Sequence, residues 1–458
     1  MRRWVLLAAS APLALLTLLP ARAANGLDNV EHLIVIYEEN HSFDNYFGAF
    51  PGADGLANAG PAATQVDKQG EPFATLPPPL ADPQPGETQR RPDPRFPSDL
   101  PNAPFLFNQF IPPTEQTAAI IHSFHRQQYQ INGGKMDSFV AWSDGAGMVM
   151  GYWDLSELPL YRLAQEYTLA DNFFHAAFGG SFLNHQWLIC ACTWSYPDAP
   201  ASMVSQPFPD DPDHLQDNNL TPDGFVVNTS YSVNTPHPAD ARPETLIPNQ
   251  TAPTIGDRLS EAGVSWAWYS GGWNDAIAGR PHPRFQYHHQ PFVFYANYAD
   301  GTPGRAAHLK DEQDLLHDLQ DGTLPAVSFF KPIGLDNEHP SYTTVARGQE
   351  HVMQLVRAIQ ASRYWPSTAI IITYDENGGA WDHVAPPVID RWGPGMRVPT
   401  VLVSPWAKRG HVDHTTYDTT SVLKLIETRW HLAPLGSRDA AANDLTEAFD
   451  FDEPAMGK

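Results

Sequence analysis

Two continuous apolar, β-rich runs constrain this chain most: Leu33-Ile34-Val35-Ile36-Tyr37 near the start and residues 368–374, Thr-Ala-Ile-Ile-Ile-Thr-Tyr, far downstream. Neither run alternates apolar with polar residues. A strand without a polar face has to be covered on both sides, which is the setting of a parallel sheet in an α/β protein. The rest of the pattern agrees. Further strands are predicted at 264–270, 326–331 and 398–403, with a strand-like stretch at 168–178. Helices are predicted at 109–130, 158–167, 182–193, 254–262, 311–320, 348–361 and 419–430. In the 348–361 helix, Val352, Leu355, Val356 and Ile359 share one face at helical spacing. Strands alternating with helices imply an α/β fold with a mostly parallel central sheet and helices on both faces.

Two stretches break this rhythm. Residues near 50–113 and 197–253 are rich in Pro, Gly, Asp and Asn and read as long loop insertions in one domain spanning 24–458. Residues 1–23 read as an export signal instead: Arg2-Arg3, an apolar run to Leu19, and the small-x-small end Ala21-Arg22-Ala23. The paired arginines also suit a twin-arginine signal. No later run is long enough for a bilayer span, so a soluble periplasmic or secreted protein without stable membrane insertion is expected. Cys190 and Cys192, the only cysteines, are separated by one residue. A bond between them would close a tight loop, so they read as two buried, small apolar residues rather than a disulfide. The formal net charge of −24 argues against nucleic acid as a partner.

The chemistry should lie beyond the carboxyl ends of the strands. The first apolar run ends in Glu38-Glu39-Asn40 and the late one in Asp375-Glu376. Were these ends adjacent, Glu39, Asn40, Asp375 and Glu376 would gather oxygen ligands whose mutual repulsion one hard divalent cation relieves, such as Mg, Ca, Mn or Fe. The plain alternative is ordinary loop carboxylates. Gly179-Gly180-Ser181 follows a strand and opens a helix, so the hydroxyl sits where backbone N–H groups favour an anion such as phosphate. A cation beside it would ease formation of an alkoxide, whereas a simple N-cap serine is the commoner use of that position. Of 19 histidines, His122, His288, His289, His339, His383 and His414 stand in contexts suited to holding phosphate oxygens or giving a proton to a leaving group. A lone histidine is more often structural. No GxxxxGK[ST], GxSxG or HExxH motif is present, which disfavours P-loop, lipase and zinc-protease chemistry.

Five segments in order then resemble one family. They are residues 35–48 (Val-Ile-Tyr-Glu-Glu-Asn-His-Ser-Phe-Asp-Asn-Tyr-Phe-Gly), 132–137 (Asn-Gly-Gly-Lys-Met-Asp), 179–185 (Gly-Gly-Ser-Phe-Leu-Asn-His), 253–259 (Pro-Thr-Ile-Gly-Asp-Arg-Leu) and 374–384 (Tyr-Asp-Glu-Asn-Gly-Gly-Ala-Trp-Asp-His-Val). Together they resemble the bacterial phosphoesterase family of secreted acid phosphatases and non-specific phospholipases C, in the alkaline phosphatase superfamily. The resemblance implies an alkaline-phosphatase-like fold, one metal on Glu39, Asn40, Asp375 and Glu376, and Ser181 as nucleophile. It places His122, His288, His289 and His339 near the phosphate and His339 or His122 as proton donor. Asp382 and His383 would stand one layer behind the ligands, with His414 matching a family position of unassigned role. Phe182-Leu183-Asn184-His185 after the serine is similar to the acid phosphatase branch; the phospholipase branch has a threonine nucleophile and a Pro-Asn-Arg-like run. The implied activity is metal-dependent hydrolysis of small phosphomonoesters through a phosphoserine. The alternatives are phospholipase C action on phosphatidylcholine-type diesters and a non-catalytic binding protein on the same fold.

Overall fold

The computed structural model describes residues 26–452, so the export signal expected over 1–23 lies outside the described residues. In chain order the elements that frame the site are β1 (His32–Glu38), α1 (Phe43–Phe47), α2 (Phe124–Ile131), α3 (Pro159–Glu166), β2 (Thr168–Ala170), α4 (Ser181–Cys190), α5 (Ile255–Glu261), β3 (Trp266–Ser270), β4 (Leu309–Asp311), α6 (Glu312–Asp321), β5 (Val327–Lys331), α7 (Val345–Gln360), β6 (Thr368–Tyr374), β7 (Thr400–Val403), β8 (His411–Asp413) and α8 (Thr419–Trp430). Eight strands form one sheet in the order β4-β3-β5-β1-β6-β7-β2-β8. Only β7 runs against the others. This is the mostly parallel α/β sheet that the apolar runs imply.

The two runs lie side by side. β1 pairs with β6 from His32↔Thr368 to Glu38↔Tyr374 and with β5 on its other edge. All seven residues of β6 are buried, because helices cover both faces: α4 and α8 on one side, α3 and α7 on the other. Fully burying each Ile or Leu there contributes about 1.5–3 kcal/mol, so these central strands anchor everything attached to their ends.

Several sequence expectations need correction. The helix predicted over 109–130 forms only at Phe124–Ile131; Pro112, Pro113 and the polar run behind them lack an apolar stripe to bury. The strand-like stretch 168–178 is two short strands, Thr168–Ala170 and Phe173–Phe174. Cys190 and Cys192 form a disulfide. The objection to so small a loop fails because Ala191, at φ 48° and ψ 39°, turns the chain left-handed at the end of α4. The two Cα atoms then stand 5.2 Å apart, inside the range a disulfide spans.

Candidate active site

Strand ends and glycines bring the site together. At the end of β1 the chain turns at Asn40, whose φ of 68° lies in the left-handed region that asparagine tolerates. The loop after β6 crosses directly beneath it: a Cβ on Gly378 would lie 2.2 Å from the Asn40 carbonyl oxygen, so only glycine permits this approach. On the other side, Gly179 and Gly180 let residues 122–124 press against the start of α4; a Cβ on Gly180 would lie 2.8 Å from the His122 carbonyl. These contacts put Asn40, His122 and Ser181 around one point.

A directed chain of hydrogen bonds links them. A carbonyl only accepts, so His122 Nδ1–H donates to the Ile120 carbonyl at 2.5 Å. Its Nε2 is then bare and accepts from Asn40 Nδ2 at 3.2 Å. That fixes the amide so that Asn40 Oδ1 faces the Ser181 hydroxyl at 3.5 Å. Ser181 is the first residue of α4, with Gly180 as N-cap and no side-chain capping bond. The serine therefore does not cap its helix, and its hydroxyl is left for other work.

The carboxylates stand immediately below. Asp375 Oδ1 accepts from the Asn40 and Glu376 backbone N–H groups at 3.3 and 2.8 Å. Glu376 Oε2 accepts from Gly378 N–H at 2.6 Å, while its Oε1 is buried without a hydrogen-bond partner. His122 Nε2 lies 3.5 Å from that oxygen. Burial pushes the Asp375 carboxyl up to about 7 despite the opposing Lys331, and, with help from Asp375, raises Glu376 well above the ordinary carboxylate value. Glu39 goes the other way: burial opposes its charge, but His289 and Lys331 hold it ionised. It contacts His289 Nε2, sits 3.1 Å from Lys331 Nζ, and has His339 Nε2 at 3.9 Å. A buried oxygen lacking a partner, beside two further carboxylates, an amide oxygen and a hydroxyl, is an all-oxygen donor set of the kind a hard divalent cation fits.

Above these groups opens a cavity of about 530 Å³, lined in part by Glu39, His122, Ser181, His288, His289 and His339. Four of the six candidate histidines, His122, His288, His289 and His339, therefore reach the serine's cavity. Burial lowers each imidazole, His122 and His289 to about 4, with His288 and His339 also below their ordinary value. The outer wall comes from the second insertion, residues 217–219 and 227–229. None of the residues lining the cavity comes from 50–113.

Other candidates lie elsewhere. His414 bonds Asp171 at 2.8 Å and is largely exposed. Asp382 and His383 join Asp44 in a cluster whose ligand atoms are close enough for a metal. Arg397 already fills it: its guanidinium reaches Asp382 at 2.9 and 3.2 Å and Asp44 at 3.2 Å. Sequence reasoning missed two buried residues at the site. Lys331 ends β5. His185, one turn after Ser181, bonds the Ser181 carbonyl at 2.7 Å and stacks on His289 with ring centres 5.0 Å apart. The i+4 spacing from a candidate nucleophile was the available signal for His185.

Known proteins can be set beside this geometry. The chain is similar to the non-hemolytic phospholipase C of Burkholderia pseudomallei, 26% identical over 95% of this chain and 61% of that protein. It is also similar to phospholipase C A of Mycobacterium tuberculosis, 26% identical over 93% of this chain and 78% of that protein. The chain thus spans about three fifths of the Burkholderia relative's length. Among solved structures, a protein in the alkaline phosphatase superfamily from Vibrio parahaemolyticus aligns with a TM-score of 0.35 and 13% identity, over 73% of this chain and 71% of that one. No helix among the described residues is long and apolar enough to cross a membrane. The model of the phosphoesterase family matches residues 30–433, nearly the whole described chain and all of the residues just described, and the protein belongs to that family.

Proposed function

We propose that the cavity hydrolyses phosphate esters with Ser181 as the nucleophile. The observation that carries this is the Ile120–His122–Asn40–Ser181 hydrogen-bond chain, whose His122 lies 3.5 Å from the unpartnered Glu376 oxygen. It leaves a hydroxyl at a helix N-terminus, where an anion is favoured, next to a donor set that fits a cation. A divalent cation held by Asn40, Asp375 and Glu376, with Glu39 beside them, would supply positive charge to a serine alkoxide and to a phosphoryl oxygen. Ser181 gives its hydroxyl proton to solvent and its Oγ attacks phosphorus as the bond to the leaving oxygen breaks; water then hydrolyses the phosphoserine and restores the hydroxyl. His288 and His289 face the phosphoryl oxygens from the cavity wall. For the leaving group, His339 is the better donor of the two predicted. His122 Nε2 is already taken by Asn40, whereas His339 makes its hydrogen bond through Nδ1, to the Pro340 carbonyl at 2.5 Å, and its Nε2 has only Glu39 nearby, at 3.9 Å. Because that bond keeps one proton on Nδ1, His339 gives a proton from Nε2 only as the imidazolium.

On substrate, the named relatives favour a phosphodiester of the phospholipase C type, and the run from Ser181 to His185 favours a phosphomonoester. Turnover of p-nitrophenyl phosphate against p-nitrophenylphosphorylcholine, with and without chelator, separates them. Ser181→Ala should lose at least about a thousandfold in turnover with either ester while retaining its metal content; near-normal turnover would refute the covalent route. Export to the periplasm or beyond belongs to the same proposal, and cell fractionation tests it.

A further inference from the structure

We propose that Lys331 is a built-in counter-ion that sets the charge of the cation site, leaving it matched to a divalent rather than a trivalent metal. This rests on the cation site of the proposed function and extends it to a residue with no part in the reaction.

Lys331 ends β5, next to β1, and its side chain is fully buried. A lysine is almost never fully buried without partners. Here the ammonium donates to the Glu38 carbonyl at 3.1 Å and to Asp375 Oδ2 at 3.5 Å, and pairs in charge with Glu39 Oε1 at 3.1 Å. The Tyr37 ring lies beneath it, 5.2 Å from Nζ to the ring centre. Nζ therefore bridges the two loop ends that carry the carboxylates, residues 39 and 375.

The charge count follows from position. Three carboxylates face the site: Glu39, Asp375 and Glu376. Glu38 does not join them. It sits opposite Tyr374 in the sheet, and because Tyr37 turns its ring under Lys331, strand alternation points the Glu38 side chain to the other face. Metal binding requires deprotonated ligands, so in the loaded state the three carboxylates and Lys331 sum to two negative charges. A dication neutralises that sum. Without the lysine the sum would be three, and the low-dielectric interior would amplify the difference.

Charge removal, singly and in pairs, tests this without using turnover. Wild type, Lys331→Met, Glu39→Gln and the double variant are stripped of metal, and binding of Mn2+ and Tb3+ is measured by equilibrium dialysis. Lys331→Met should raise the Tb3+-to-Mn2+ affinity ratio by about tenfold or more. Glu39→Gln should lower it. The double variant, back at two negative charges, should return towards the wild-type ratio, which a merely structural lysine would not produce. If Lys331→Met fails to fold by circular dichroism, the Glu39→Gln arm stands alone, and an unchanged ratio there overturns the proposal. An unchanged ratio in Lys331→Met, or a double variant that stays with it, does the same. Absence of any Mn2+ binding by the wild type would instead overturn the cation site itself.

Discussion

Arg397 offers a test of what holds the site loops in place. Its side chain is fully buried, and all five guanidinium donors are used: Nε and Nη2 on Asp382, Nη2 also on Asp44, and Nη1 on the Asp54 and Asp171 carbonyls at 2.7 and 2.8 Å. The group thus joins the loop after β1 to the loop after β6, the same two segments that carry the proposed metal ligands. Arg397→Met keeps much of the volume and removes the charge. It leaves buried Asp382 without a counter-charge and Asp44 with His383 alone, which bonds it at 2.6 Å and also reaches Asp54 at 3.4 Å. Breaking a buried pair from one side costs about 3–5 kcal/mol. A domain of this size has an unfolding entropy near 1 kcal/mol per degree by the usual per-residue value of about 2 cal/mol/K, so the melting temperature should fall by about 3–5 °C. Arg397→Lys should recover less than half, because an ammonium cannot reproduce the planar fork. The assay is urea unfolding followed by tryptophan fluorescence, with thermal melts alongside. A loss below about 1 kcal/mol would refute the reasoning. So would Mn2+ restoring the variant fully, since the Asp44–Asp382–His383 cluster would then be a cation site in its own right.

Three further outcomes follow from the geometry. Gly378→Ala should impair activity and Mn2+ affinity together, because its Cβ would strike the Asn40 carbonyl; Gly279→Ala, also at positive φ but with open space around it, should cost only the backbone term of about 1–2 kcal/mol. His339→Gln should slow alkyl phosphates by about a hundredfold or more while p-nitrophenyl phosphate, whose leaving group needs little protonation, is nearly spared; equal losses with both would remove His339 as the donor. Buried Glu427 on α8 has its carboxyl pushed up to about 8 by burial and by its neighbour Asp439. The folded value lies above the unfolded one, so its stabilising effect is full below about pH 4.5 and is lost as pH rises through about 8. Glu427→Gln should flatten that decline in urea midpoints, and an unchanged slope would place the titration elsewhere.

How much of this was legible in the sequence depends on distance along the chain. Residues 368–374 were read to the residue because burial on both faces writes itself into every position. Helix 419–430 was equally plain from its spacing. The strand ends Glu39-Asn40 and Asp375-Glu376 pointed to each other because parallel neighbours present their carboxyl ends together. Lys331 was invisible: a lysine closing an apolar strand reads as a solvent-facing end, and its partners are a carbonyl 293 residues away and a carboxylate 44 residues away. Arg397, paired with Asp44 across 353 positions, was hidden for the same reason. The disulfide was misjudged on loop size because the left-handed turn at Ala191 is a backbone property that alanine does not advertise.

The crossing of Gly378 beneath Asn40 has a consequence for when the protein becomes competent. Asn40 and the Asp375 carboxylate it bonds are 335 residues apart, so one half of the site is synthesised well before the other. A ribosome-bound chain carries Asn40 and Ser181 with nothing to complete them, and loop closure over such a span comes late. Until β6 enters the sheet beside β1, the nascent chain has neither a cation trap nor an aligned hydroxyl. Under the proposed function, competence to bind metal and to attack phosphorus arrives in one step, when β6 pairs with β1.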